Sequence, residues 1–355
     1  MKEAMFYTKL DKMKVQCHLC PNNCIILHGK RGSCHVRENQ MGKLYSLVYG
    51  LPCTTAVDPI EKKPLFNFLP GTKAYSIATP GCNLQCKFCQ NWQISQRGPD
   101  DTSCFKMDPE EVVEKALKAG CKSIAYTYVE PAIFYEYILD TAKLAHKKGL
   151  KNIMVTNGYI NQSPLKKLYK YIDACNVDLK GFTEEFYRDF CSGHLRPILD
   201  MIKTAHKMGV WTELTTLLIP TLNDDPSTMK EQCEWIKKEL GTKVPLHISR
   251  FFPYYKLMHI PPTPPETLLR AYEIAKETGL KYVYVGNIQL EGTEDTYCPK
   301  CGKKIIRCQR RQVQVLQSED RWCVREEINK EKITFSNTVT TTTLVPSYDQ
   351  LMFLG

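Results

Sequence analysis

The sequence predicts an α/β fold: a partial or complete (β/α) barrel with a small cysteine-rich extension on either side. Three observations predict it. Strand-like apolar runs recur at residues 74–79, 123–128, 152–156, 174–178, 212–219, 246–252 and 282–285. Capped helical segments separate most of them, and such alternation marks a parallel sheet covered by helices. The residues suited to chemistry fall at the C-terminal ends of these runs, where barrel enzymes carry their sites. That placement, rather than periodicity, favours a barrel over an open doubly wound sheet.

The 355 residues divide into a cysteine-rich region (1–70), the barrel (71–292), and a cysteine knuckle with a polar tail (293–355). The tail includes Thr338 to Thr343, interrupted only by Val339. Within the barrel, Asp108-Pro109-Glu110-Glu111 supplies an N-cap, a proline at the first helical position and a capping-box glutamate, and Gly120 ends that helix. Thr263-Pro264-Pro265-Glu266 repeats the device, and Asp225-Pro226 is a shorter version of it. Residues 131–149 form a further helix, with Ile133, Phe134, Tyr137, Ile138 and Leu144 on its apolar side.

The formal charge of +10 is spread over pairs such as Lys62-Lys63, Lys147-Lys148 and Lys237-Lys238. Scattered pairs of this kind are solvated helix faces, and no nucleic-acid recognition module accompanies them. The first fourteen residues are polar, unlike a secretory signal, and no apolar run is long enough to span a membrane. A cytoplasmic location is therefore expected. In a reducing compartment seventeen cysteines point to metal ligation rather than disulfides.

After the first predicted barrel strand comes Thr79-Pro80-Gly81-Cys82-Asn83-Leu84-Gln85-Cys86-Lys87-Phe88-Cys89-Gln90-Asn91-Trp92. Three thiolates on one compact loop can hold three irons of a cubane cluster and leave the fourth open, the logic of a catalytic site. A zinc site completed by a distant fourth ligand is the competing reading.

The Cys-x-x-x-Cys-x-x-Cys loop, with Phe88 before its last cysteine, resembles the signature of the radical S-adenosylmethionine (SAM) superfamily. Gly81-Cys82-Asn83, Gln90-Asn91-Trp92 and the stretch from Asp58 to Leu65 are similar to the pyruvate formate-lyase activating enzyme branch. Within that branch they resemble the radical SAM member of the AMMECR1–Memo–radical SAM (AmmeMemoRadiSam) group. The resemblance implies a barrel of the radical SAM type, with a [4Fe-4S] cluster on Cys82, Cys86 and Cys89. It also implies SAM on the open iron, and reductive cleavage to methionine and a 5′-deoxyadenosyl radical that abstracts hydrogen from a substrate. An electron donor such as ferredoxin or flavodoxin is implied, and the substrate, in the activating-enzyme alternative, is a partner protein on which a glycyl radical is installed.

Carried onto this sequence, the resemblance implies SAM-binding roles for Tyr126, Glu130, Asn157, Asp178, Lys180 and Arg250, with Asp178 and Lys180 nearest the reaction. Two departures stand out. The glycine pair before Glu130-Pro131 is absent, and Val155 replaces the aspartate that serves a bound monovalent cation in relatives.

Cys17, Cys20, Cys24 and Cys34 form a four-thiol set, read as a structural metal site with zinc the simple choice and a second iron–sulfur cluster the alternative. Cys298 and Cys301 form a knuckle whose partners, Cys308 and Cys323, are poorly spaced, so that site reads as incomplete. A zinc-dependent interaction or nucleic-acid-binding module is the competing class of function.

Overall fold

The computed structural model describes residues 1–309 and 312–316. Its centre is one eight-stranded sheet: β1 (Thr54–Pro59), β2 (Lys73–Ala78), β3 (Ser123–Tyr126), β4 (Lys151–Thr156), β5 (Ala174–Asp178), β6 (Trp211–Leu218), β7 (Leu246–Arg250) and β8 (Val283–Gly286). The strands lie side by side in chain order. β2 to β8 are parallel, and β1 runs antiparallel to β2 at the edge. Among the described residues β1 and β8 do not pair, so the barrel is partial. The helices between strands are α1 (Pro109–Lys118), α2 (Tyr135–Lys147), α3 (Gln162–Leu168), α4 (Leu195–Lys207), α5 (Pro226–Leu240) and α6 (Pro265–Thr278).

Alternation decides which strand residues meet the helices. Ile124, Met154, Val177, Leu214, Ile248 and Val285 join the large core shared with the helices. The opposite face is lined by small side chains, Ala74, Ala125 and Ala174, which admit Ile60, Leu65 and Phe68 from the connection between β1 and β2. Fully burying Ile60 and Leu65 contributes roughly 1.5–3 kcal/mol each. That connection also bridges to the far strands. The Glu213 carboxylate on β6 accepts from the backbone N–H groups of Phe66 (3.1 Å) and Asn67 (3.0 Å), and the Tyr284 hydroxyl on β8 donates to Asn67 Oδ1 (2.9 Å). The chain therefore stoppers its own sheet at the end where the strands begin.

The helix starts differ in detail from the capping pattern. Asp225 does cap α5, accepting from Thr228 N at 2.9 Å. Asp108 precedes α1 without a side-chain cap bond. The Thr263 hydroxyl instead donates to Leu218 O (2.6 Å) and accepts from Phe251 N (2.9 Å), tying the loop before α6 to the ends of β6 and β7.

Residues 1–50 build two three-stranded sheets of very short strands, one centred on Val15–Cys17 and one on Lys43–Ser46. They are fastened to the barrel by a buried ion pair in which Arg37 Nη2 donates to both oxygens of Glu136 on α2 (2.7 and 2.8 Å). A small sheet, Thr296–Tyr297, Lys304–Gln309 and Gln312–Val315, follows β8. The threonine-rich tail and Cys323 lie outside the described residues. Among the described residues, no helix is long and apolar enough to cross a membrane.

Candidate active site

The loop that leaves β2 carries Cys82, Cys86 and Cys89 and ends in a single helical turn, Trp92–Ser95. Gly81 opens it with φ +98°, and an added Cβ would stand 2.6 Å from Cys34 O and 2.6 Å from Val36 Cγ1. Only glycine fits so close an approach in that conformation. The loop is then held from three directions. Asn83 Nδ2 donates to Tyr159 O (2.6 Å), while Asn157 Nδ2 donates to Asn83 Oδ1 (3.0 Å) and lies 3.8 Å from Cys82 Sγ. Gln85 N donates to Cys191 O and Lys87 N to Phe190 O, both at 2.9 Å. Lys256 N donates to Lys87 O (2.9 Å), and the rings of Trp92 and Tyr255 stack at 5.2 Å.

The three thiols crowd one another in a buried setting. Burial, then the neighbouring Cys86 and Glu130, pushes Cys82 well above the ordinary thiol value. A hydrogen bond with the Cys191 thiol, then burial, does the same for Cys86, and burial followed by Cys86 raises Cys89. Sites of this kind become thiolates when a metal displaces their protons.

Asp178 ends β5 and Lys180 follows it, joined by an ion pair of 2.9 Å. Lys180 Nζ stands 5.9 Å from the Phe88 ring centre, beside the cysteine loop. Burial would lower the Lys180 pKa, but Asp178 and the thiols of Cys86 and Cys191 outweigh it and hold the ammonium well above its usual range. The Lys180 backbone is fixed as well, its N–H donating to the Tyr187 hydroxyl (3.0 Å) and its carbonyl accepting from Asn223 Nδ2 (2.8 Å).

The Glu130 carboxylate is occupied within the fold. It accepts from Ala132 N (2.9 Å), Asn157 N (2.7 Å) and the Thr156 hydroxyl (2.8 and 3.0 Å), and burial pushes its pKa up to about 7. It thus links the ends of β3 and β4 and sets Asn157 against the cysteine loop.

Two side chains expected at the pocket point elsewhere. Tyr126 is buried in the core shared with the helices, its hydroxyl donating to Asn152 Oδ1 (3.1 Å), and Asn152 in turn donates to Ala142 O of α2. Arg250 shares the face of Ile248, donates from Nε to Thr263 O (2.8 Å) and lies over the Phe252 ring. The physical reason is the pleat: both residues occupy the parity that meets the helices.

Sequence reasoning missed the polar network around Asp58. Lys62, Lys63, Ser76 and Tyr128 all donate to its carboxylate, and Lys63 Nζ lies 4.4 Å above the Tyr128 ring. Burial alone would raise the Asp58 pKa, but Lys63 and these bonds hold it well below the usual carboxylate range. The Tyr128 carbonyl accepts from Asn91 Nδ2 (2.7 Å), so the network reaches the end of the cysteine loop. Its signal was present in the Asp58-to-Leu65 stretch, whose charges fall on a buried turn. Cys191 stands alone in the sequence, and only the folded chain brings it to Cys86.

Among the described residues, no three histidine, cysteine or acidic side chains are gathered in an arrangement that would grip a single metal ion. Zinc at the N-terminal cysteines is left without support. In the C-terminal knuckle, Cys298 is buried and Cys301 exposed, on a turn closed by Gly302 N donating to Cys298 O (2.9 Å).

The family profile described as Radical SAM superfamily matches residues 76–232, from β2 into α5. The chain belongs to the radical SAM superfamily. An uncharacterized protein of Methanocaldococcus jannaschii is 50% identical over 306 residues, covering 86% of this chain and 91% of the relative. A pyruvate formate-lyase-activating enzyme of Clostridium pasteurianum is 23% identical over 190 residues, covering 50% of this chain and 76% of the relative. A radical SAM methyltransferase structure from Sphaerobacter thermophilus superposes with a TM-score of 0.49 at 15% identity, over 70% of this chain and 72% of that one. A radical SAM domain binds a [4Fe-4S] cluster and SAM, and the cysteine loop is the feature of this chain whose donors and spacing suit the cluster.

Proposed function

We propose that this radical SAM chain cleaves SAM reductively, with Cys82, Cys86 and Cys89 holding a [4Fe-4S] cluster and leaving one iron for SAM. The bound cluster and SAM supply an electron transfer that yields methionine and a 5′-deoxyadenosyl radical able to abstract hydrogen from a substrate. The observation that carries the reading is the approach of the Asp178–Lys180 pair, at the end of β5, to the three-thiol loop that leaves β2, with Lys180 Nζ 5.9 Å from the Phe88 ring centre.

The chain's own residues prepare that site. Gly81 and Asn83 set the loop, and Asn157 braces it beside Cys82. Asp178 and Lys180 offer charges of both signs to the zwitterionic end of SAM, where charge-assisted hydrogen bonds give the most orientation. Tyr126 and Arg250 brace their strands from the helix-facing side, Tyr126 through its hydroxyl bond to Asn152 and Arg250 through its Nε bond to Thr263 O.

The likeness to an activating enzyme favours a protein substrate that receives a glycyl radical, with a ferredoxin or flavodoxin as electron donor. The test is anaerobic reconstitution, reduction in the presence of SAM, and assay of 5′-deoxyadenosine. Wild type should form it, and a Cys82→Ala/Cys86→Ala/Cys89→Ala variant should not. Equal product from that variant would reject the reading. Deuterium transfer from candidate proteins into 5′-deoxyadenosine then separates the activating role from small-substrate chemistry.

A further inference from the structure

The four N-terminal cysteines have no part in the site described above. Cys17 ends a short strand, Cys20 lies in the turn after it, Cys24 precedes Ile25–Ile26, and Cys34 follows the turn at Gly32. All four nevertheless line one small pocket, together with Leu19, Ile26, Ser33 and Arg37. None of them is in a disulfide. The pocket offers soft sulfur donors with no carboxylate or imidazole among its lining, which selects zinc or iron–sulfur chemistry over magnesium or calcium.

Two further observations bear on the occupant of that pocket. The four thiols do not stand in an arrangement that would hold a single ion, and in this they match Cys82, Cys86 and Cys89. A cluster spreads its cysteines over separate irons, whereas zinc draws four sulfurs around one centre. Arg37 supplies the second. Its Nη2 is committed to Glu136 and its Nη1 donates to Met5 O (3.0 Å), but its buried Nε has no hydrogen-bond partner. An orphaned buried donor on a charged group is costly unless an acceptor arrives. A thiolate-ligated metal centre, cluster or zinc, carries net negative charge and sulfur acceptors, and so meets both needs of that guanidinium.

We propose that Cys17, Cys20, Cys24 and Cys34 bind a second iron–sulfur cluster, fully ligated by protein. It lies directly behind the active-site loop. Asn22 Nδ2, between Cys20 and Cys24, donates to Asn83 O (2.9 Å), and the Cys34 carbonyl is the atom that a side chain at position 81 would strike. The inference does not rest on SAM cleavage, and its test does not use it.

The full chain is reconstituted anaerobically with ferrous iron and sulfide, desalted, and assayed for iron, acid-labile sulfide and zinc. Wild type should carry about eight irons, and the Cys82→Ala/Cys86→Ala/Cys89→Ala variant about four, with the brown colour retained. A Cys20→Ser/Cys34→Ser variant should also carry about four, and adding SAM should still alter the electron paramagnetic resonance spectrum of its reduced cluster. A triple-alanine protein that is colourless and free of iron overturns the proposal, whether it holds zinc or nothing. If a variant fails to fold, the wild-type count decides: about four irons, with or without one zinc, overturns it equally.

Discussion

Replacing Gly81 by alanine measures how rigidly the cysteine loop is set. The residue has φ +98°, and L-residues pay about 1–2 kcal/mol in left-handed backbone. The new Cβ would also overlap Cys34 O and Val36 Cγ1, each 2.6 Å away. A backbone carbonyl cannot rotate aside, so the overlap adds an overpacking cost of about 1–3 kcal/mol. The sum is roughly 2–5 kcal/mol, enough to shift the loop or unfold a marginal chain. Gly120→Ala is the control, since Gly120 has φ +67° and nothing within 4 Å of an added Cβ. Urea denaturation should show a lower midpoint at similar slope for both variants, with a clearly larger drop for Gly81→Ala. Iron retention after reconstitution should fall below half of wild type for Gly81→Ala alone. Equal midpoints for the two variants, with full iron in both, would refute the close-approach argument.

Two other perturbations test different parts of the molecule. Glu61 is buried, with Oε1 accepting from Gly71 N (2.7 Å) and Oε2 unpartnered, and burial pushes its pKa from 4.5 up to about 7. Between those values the folded chain keeps a proton that the unfolded chain has lost, so this group makes stability fall as pH rises from 4.5 to 7. Glu61→Gln, neutral throughout, should therefore gain on the order of 3 kcal/mol relative to wild type on going from pH 4 to pH 8; parallel pH profiles of the denaturation midpoint would count against it. Asp178→Asn and Lys180→Met should each weaken SAM binding roughly tenfold or more while leaving the iron content and cluster absorbance intact. Unchanged SAM affinity, read by calorimetry, would make the pair a structural ion pair only.

Seven of the eight strands were legible because each is a continuous apolar run on a parallel sheet covered by helices. β1 was not. It is an antiparallel edge strand reading Thr-Thr-Ala-Val-Asp-Pro, with little alternation and a terminal proline that edges tolerate. The short N-terminal strands, of two to four residues, are too brief to leave a period in the sequence. In the site, the spacing of Cys82, Cys86 and Cys89 is visible in the sequence itself, whereas Asp178 and Lys180 came from the resemblance, and the fold sets those two in an ion pair beside the cysteine loop. Arg250 shows the limit: the resemblance implied a contact with SAM, whereas its parity on β7 is that of Ile248 and its Nε bonds to Thr263 O. Tyr128 and Cys191 were invisible because what defines them is contact between segments far apart along the chain, with Asp58 and with Cys86.

The bracing of the cysteine loop has a consequence for how the protein is made. Its partners include Asn157, Tyr159, Cys191 and Lys256, so the last of them is translated some 170 residues after Cys86. A segment stapled together by such distant contacts closes late, after most of the sheet has assembled. Until then the three thiols are exposed on an unfinished chain, open to oxidation and to stray metals. If the loop holds the cluster proposed above, insertion belongs to the end of folding, and a cell short of iron or exposed to oxygen at that moment would accumulate chains with an assembled sheet and an empty loop.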